Sequence, residues 1–428
     1  MYTQEMKVAV FPFSRQAEGE EVVIGRVDTG VFLSLPPDAV EILDLLAAGK
    51  TVGQAQEIYR GKYGETPDME EFLGFLQSKG FVRPWTDVVA PPPAAGAGPG
   101  VAPNVAASVP QQRRNHFANI PQPVAQALFG RTALLIAALL VALATIAVAQ
   151  APVIFPGRSS LFFRHDKTVM MLGLVLMGYA TVFIHEMGHL VAARARGVSS
   201  RLGINRRMWV LVAETDMTGL WSVPRQQRYL PMLAGPLVDT TSAAVMLIVL
   251  FTAYRRWISL PIPALELLSA MCFMYMMRLL WQCFFFVRTD FYYVIANFFG
   301  CKSLMRDTQV YIQNQLLRLF APARPRVDQS HLPAGERRVI RVYVWFWLAG
   351  RALALGSLVI VTFPVMLKYL TSCSKGLLAG FSGGQYAFFD ALFTFTFILV
   401  PIVIGLVWWL ASLVKRSRLD NERRAYAT

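Results

Sequence analysis

Six apolar stretches, near residues 131–154, 168–193, 229–254, 262–287, 339–367 and 387–413, dominate the chain. Each has the ~20 residues that a helix needs to cross a bilayer. In a membrane every backbone N–H and C=O must be satisfied inside the segment, so spans of this kind fold as helices. The composition agrees: 55% of the residues are hydrophobic and only 16% are charged, against ~25% charged in ordinary soluble domains. The predicted fold class is therefore mainly α: a polytopic membrane helical bundle of about six spans.

The formal charge is +14. In a soluble chain this would suggest nucleic acid, but here the arginines gather at the ends of the apolar stretches, and no nucleic-acid partner is expected. Suppose the N-terminus lies inside. The inner segments then carry Arg194, Arg196, Arg201, Arg206, Arg207, Arg288, Arg306, Arg337, Arg338 and others, and the tail adds Lys415, Arg416 and Arg418. The outer segments hold far fewer, among them Arg158, Arg255 and Lys368. The positive-inside rule then places both termini in the cytoplasm, with the chain in the cell (inner) membrane and the bilayer as a partner. The start, Met1-Tyr-Thr-Gln-Glu-Met-Lys7, lacks the basic and apolar regions of a signal peptide.

Ahead of the spans, residues 1–87 read as a small α/β domain. Val22–Val27 and Val31–Leu35 are apolar and β-branched around Asp28-Thr29-Gly30, which is a hairpin signal. Asp38 is expected to cap a first helix, ended by Gly49. Thr51-Val-Gly-Gln54 has the form of a capping box for a second. Asp68 is expected to cap a third, ended by Gly80, with Phe81-Val82 returning as a short strand. A hairpin with three helices predicts a winged-helix module. Residues 88–128 form a linker whose first part, 88–112, is Pro/Ala/Gly-rich and offers nothing for a core. The membrane-embedded domain occupies 129–428.

His185-Glu186-Met187-Gly188-His189 carries the chemistry. Two histidines four apart on a helix lie on one face, one turn apart, so both imidazoles can bind one zinc ion. Glu186, beside the first, can reach the attacking water and act as general base. The run Val169 to Ile184 before them is almost wholly apolar, and ionisable groups at membrane depth are costly and usually functional. Zinc needs a third protein arm. Asp290, Asp239, Asp216 and Glu214 are candidates. Asp290, at the cytoplasmic end of span four, is preferred, and Asp239, within span three, can instead be a packing residue or a partner for a histidine N–H. The four cysteines, Cys272, Cys283, Cys301 and Cys373, form no CxxC pair, so a thiolate zinc site is not expected. Met208 to Ala213 is apolar and strand-like, and Trp209, Val210 and Leu211 are the expected substrate-binding edge, which would hold a peptide extended. The alternative for this segment is an interfacial piece that buries Trp209 at the headgroups.

HEMGH in a span, Leu233-Ala234-Gly235-Pro236 in the next, and Thr289-Asp290-Phe291-Tyr292-Tyr293 after another together resemble the site-2 protease family, and within it the branch of peptide zinc metalloproteases found with peptide-maturation systems. The resemblance covers roughly residues 170–310. It implies one Zn²⁺ on His185, His189 and Asp290, with Glu186 as catalytic base, in an enzyme that cuts a peptide or membrane-protein substrate. Two positions depart from the pattern. Phe291 stands where the family has glycine, and Phe284-Phe-Phe-Val-Arg288 replaces an Asn-Pro stretch. The N-terminal domain resembles PqqD-like modules, which implies that a leader peptide adds as a strand to its hairpin edge. A function of a different class is a non-catalytic peptide-binding scaffold or export partner with a structural metal.

Overall fold

The computed structural model describes residues 2–85, 120–161 and 167–425, apart from 20, 27, 199, 208, 209, 302, 323, 324 and 331. It is mostly helical, with a small strand-bearing domain at the N-terminus and six helices long and apolar enough to cross a membrane. That pattern is compatible with a multi-pass membrane protein.

The N-terminal part opens with β1 (Val8–Val10), β2 (Ser14–Glu18), β3 (Glu21–Arg26) and β4 (Val31–Leu35). The expected hairpin is β3–β4, antiparallel with Ile24 opposite Leu33. Gly30 closes its turn at φ +71°, a conformation open to glycine. Two further strands, β1 and β2, are not anticipated: β2 pairs with β3, so the hairpin is part of a three-stranded meander in the order β2-β3-β4. The helices follow as α1 (Pro37–Ala47), α2 (Val52–Tyr63) and α3 (Met69–Ser78), and β5 (Val82–Pro84) returns to pair with β1.

Capping distinguishes the three helices. Thr51 and Gln54 form the expected reciprocal box at the start of α2, and the Asp68 carboxylate accepts from Glu71 N–H at the start of α3. At α1 the expectation fails. Pro36 is the N-cap, and Asp38 lies in the first turn without capping it. Proline at the first helical position, Pro37, already presets φ and gives up an N–H that would go unsatisfied there, so the helix starts two residues earlier. Ile24, Leu43, Leu46, Leu73, Leu76 and Phe81, all but fully buried, form one core between sheet and helices. Residues 86–119, which include the predicted Pro/Ala/Gly stretch, lie outside the described residues.

Segments 190–202 and 215–231 belong to the same compact unit as the N-terminal domain. Within it Arg228 is 1% exposed. Its Nε donates to the carbonyls of Leu220 and Val223, at 3.0 and 2.9 Å. Its guanidinium also pairs with Glu18 of β2 and lies over the Trp221 ring.

The helical part runs through α4 (Gln122–Leu128), α5 (Arg131–Gln150), α6 (Lys167–Ala195), α7 (Arg225–Tyr254), α8 (Ile262–Gln282), α9 (Asp290–Phe299), α10 (Leu304–Phe320), α11 (Ala334–Ser357), α12 (Phe363–Leu378) and α13 (Gln385–Ala425). The six candidate spans are Gln122–Gln150, Thr168–Ala195, Arg225–Tyr254, Ile262–Gln282, Ala334–Ile360 and Gln385–Trp408. They match the six predicted stretches to within several residues at each end. Between α6 and α7, β6 (Arg201–Arg207) and β7 (Val210–Asp216) form a two-stranded sheet.

Small residues bring α5, α7 and α8 together. Ala144, Ala147, Ala243 and Ala244 pack with Cys272 and Tyr275. This is the close-approach packing that spans need, since lipid offers no hydrophobic drive between helices. Gly188 does the same between α6 and α7: a Cβ there would lie 2.9 Å from Val238 and 3.1 Å from the Ala234 carbonyl. Asp390 of α13 fixes the start of α6, accepting from the Thr168 N–H and hydroxyl at 2.8 and 2.7 Å. The loop from α8 to α9 is seated on α11. Phe286 fills the space left by Gly350, and Tyr343 donates to the Phe285 carbonyl. None of the four cysteines is in a disulfide.

Candidate metal centre

α6, α7, α8 and α9 each send one or two polar side chains to a single point. His185 and His189, one turn apart on α6, are 5% and 2% exposed. Their Nε2 atoms are 3.2 Å apart. Asp290, the first residue of α9, brings Oδ2 to 3.1 Å from His185 Nε2 and 3.3 Å from His189 Nε2. Three ligand atoms thus form a nearly equilateral triangle, and these residues are the group among the described residues that can hold a metal ion.

The chemistry of the donors says what belongs in the middle. Asp239 of α7, wholly buried, places Oδ2 2.8 Å from His185 Nδ1. A carboxylate only accepts, so Nδ1 carries the proton and donates. In the neutral ring Nε2 is then a bare lone pair, and it faces a carboxylate oxygen and a second imidazole nitrogen. A cation between these three atoms, 3.1–3.3 Å apart, would satisfy all of them at once. A tetrahedral ion with ligands at ~2.0–2.1 Å spaces them about 3.3–3.4 Å apart, close to what is found. Gly235 of α7 completes the cradle. A Cβ there would lie 2.4 Å from both Nε2 atoms, inside the space that an ion would take.

Asp290 is held from two directions. Thr289 caps α9, its hydroxyl accepting from Tyr292 N–H at 3.4 Å and donating to the Gln282 carbonyl at 3.0 Å. The Gln282 amide grips Asp290 at both ends. It donates to Oδ2 at 2.8 Å and accepts from the Asp290 N–H at 3.0 Å.

Phe291, the first departure from the family pattern, lies in the helical backbone of α9 and not at positive φ. No glycine is required there, because the aspartate is presented by a capped helix start.

Of the other candidates, Asp239 and Asp216 are not in the triangle. Asp239 stands behind His185 and orients it, the arrangement in which an outer carboxylate fixes a ligand histidine. Asp216 pairs with Arg201 at 2.7 Å and accepts from Thr218. The Glu214 side chain lies outside the described residues. Glu186 follows His185 on α6 and is half-buried. Of the expected peptide-holding residues, Trp209 lies outside the described residues, while the backbone of Val210 and Leu211 runs in β7.

Three contributors were not foreseen. Arg278 of α8 donates to Asp239 Oδ1 at 3.2 Å. A cation within an apolar span is itself a signal of function and could have singled it out. Gln282 carried no such signal. Gly235 was read only as part of a motif, since its contacts exist only once two helices cross. No protein-family model, no curated protein sequence and no solved structure matches the chain.

Proposed function

We propose that the protein is a membrane-embedded zinc metalloendopeptidase of the site-2 protease type, which hydrolyses a peptide bond in a membrane-associated or ribosomally made precursor peptide. The observation that carries this reading is the triangle of His185 Nε2, His189 Nε2 and Asp290 Oδ2, three possible ligand atoms 3.1–3.3 Å apart. Two imidazoles and one carboxylate are the donor set of a catalytic zinc site, which keeps a fourth position for water or substrate. When bound, the zinc supplies an acidified water and a polarised scissile carbonyl.

The chain's own residues do the rest. Glu186 accepts the proton of the attacking water and passes it to the leaving amine. Asp239 holds the His185 ring by its Nδ1–H, and Gln282 keeps the Asp290 carboxylate turned to the imidazoles. β7 offers a strand edge along which a substrate can lie extended, with its amide exposed rather than locked in a helix. The arginine distribution favours a site that opens to the cytoplasm, with both termini on that side of the inner membrane. The N-terminal meander has two outer strands, β2 and β4, and an edge strand of this kind suits capture of a leader peptide.

Metal analysis of the purified full chain and a comparison with Glu186→Gln test the reading. The wild type should contain about one equivalent of zinc and cleave peptide. Glu186→Gln should keep the zinc and lose turnover by 100-fold or more, since a positioned general base contributes ~10²–10⁴-fold. A wild type free of zinc, or a Glu186→Gln variant that retains its biological role in full, would overturn it. The latter result would mark the chain as a peptide-binding scaffold.

A further inference from the structure

The guanidinium of Arg278 joins three spans at one point. Nη1 donates to the carbonyl of Thr181 on α6 at 2.7 Å and to Oδ1 of Asp239 on α7 at 3.2 Å. Nη2 donates to the Thr181 hydroxyl, and the cation lies 5.4 Å from the centre of the Tyr275 ring on its own helix, α8. Thr181 sits one turn before His185 on the same face of α6. Arg278 therefore ties the carboxylate behind His185 to the helix that carries His185.

Asp239 is 0% exposed and lies within a span. A carboxylate kept there needs a compensating cation and donors to both oxygens, or its burial is strongly unfavourable. Arg278 supplies both, taking Oδ1 and leaving Oδ2 to accept from His185 Nδ1. The planar fork also fixes direction. It holds the Thr181 carbonyl, the Thr181 hydroxyl and Asp239 Oδ1 in one geometry, which the single ammonium of lysine cannot reproduce. Without the fork, the Asp239 carboxylate can turn and the His185 ring loses its fixed hydrogen bond. The Nε2 lone pair is then no longer aimed at the point that His189 and Asp290 face.

We infer that Arg278 is a positioning residue of the metal centre, acting on His185 through Asp239. The inference rests on the reading of His185, His189 and Asp290 as metal ligands. Arg278 touches none of the three ligand atoms, so its effect should appear in metal affinity and ligand-field geometry.

The test uses the full chain in detergent, with zinc affinity measured by competition against a chromophoric chelator and geometry read from the visible spectrum of the Co²⁺-loaded protein. Arg278→Gln should weaken zinc binding by about 10–100-fold, the usual effect of removing an outer partner of a ligand, and should shift the Co²⁺ bands. Arg278→Lys, which keeps the charge and loses the fork, should fall between that variant and wild type. In an Asp239→Asn background, Arg278→Gln should change affinity by less than about twofold, because two residues acting in series are not additive. Should Arg278→Gln fail to fold, Thr181→Val removes one anchor of the fork and leaves the span apolar. It should weaken zinc binding several-fold and move the same bands. Wild-type affinity and spectrum in folded Arg278→Gln, or in Thr181→Val where that stands in for it, would overturn the inference while leaving the metal centre standing. So would fully additive losses with Asp239→Asn. A wild type that takes up neither zinc nor Co²⁺ would overturn both.

Discussion

A β-carbon on Gly235 would lie 2.4 Å from His185 Nε2, and it would meet His189 Nε2 at the same distance. Glycine at this position of α7 is therefore a condition for the two imidazoles to converge. Gly235→Ala should fold, because alanine favours helix over glycine by ~1 kcal/mol. It should nevertheless lose zinc, since the methyl group takes the space between the ligand nitrogens. Metal content of the purified variant, alongside its helical circular dichroism, checks this. A fully zinc-loaded Gly235→Ala protein would show that the metal sits elsewhere.

Gln282 makes a second prediction. Its amide holds Asp290 at the carboxylate and at the backbone N–H, at 2.8 and 3.0 Å. Gln282→Leu keeps the approximate volume and removes both bonds. Zinc affinity should fall by ~10–100-fold, while Gln282→Glu, which can still accept from the N–H but repels the carboxylate, should do no better. Chelator competition on the two variants measures the effect. Equal affinity in wild type and Gln282→Leu would mean that Thr289 and the start of α9 suffice to place Asp290.

How far the sequence led depends on the range over which each determinant acts. The spans were legible because ~20 apolar residues in a row have one physical use. Thr51 and Asp68 were legible because a cap is decided within four residues. Asp38 was misread because a competing local signal, Pro36-Pro37, starts α1 first. Strand β2 was missed because Ser14-Arg-Gln-Ala-Glu18 alternates half-buried with exposed residues and has no apolar face to announce it. At the site, the i, i+4 histidines are a local pattern and could be read. The division of labour between Asp239 and Asp290 could be ranked but not fixed, since it depends on which face α7 and α9 turn toward α6. Gly188 and Gly235 belong to the same class: their meaning lies in a helix crossing.

The N-terminal domain gives a prediction independent of the metal. Thr51 Oγ1 accepts from Gln54 N–H at 3.3 Å, and the Gln54 side chain accepts from Thr51 N–H at 3.1 Å. Thr51→Ala breaks the box and should cost ~0.5–2 kcal/mol. Hydrogen exchange in α2 should then speed up by about 2–30-fold if it proceeds by local opening, while α6 and α7 remain unchanged. Unchanged exchange in α2 would show that its packing through Val52 and Ala55, rather than the cap, limits opening.

The last prediction concerns how substrate is held. β7 runs Val210–Asp216 and pairs with β6, which satisfies one of its edges. A peptide added to the other edge would be bound through main-chain N–H and C=O groups, so its recognition should depend on the backbone of Val210. Proline at Val210 removes an N–H and restricts φ. Val210→Pro should therefore abolish cleavage and leave zinc content at the wild-type level, because the three candidate ligand atoms come from α6 and α9. Val210→Thr, which keeps the β-branched shape and the N–H, should retain most activity. Cleavage assayed by mass spectrometry together with metal analysis separates the outcomes. Activity in Val210→Pro would remove the strand from the mechanism, and loss of zinc in the same variant would tie the strand to the integrity of the centre rather than to substrate.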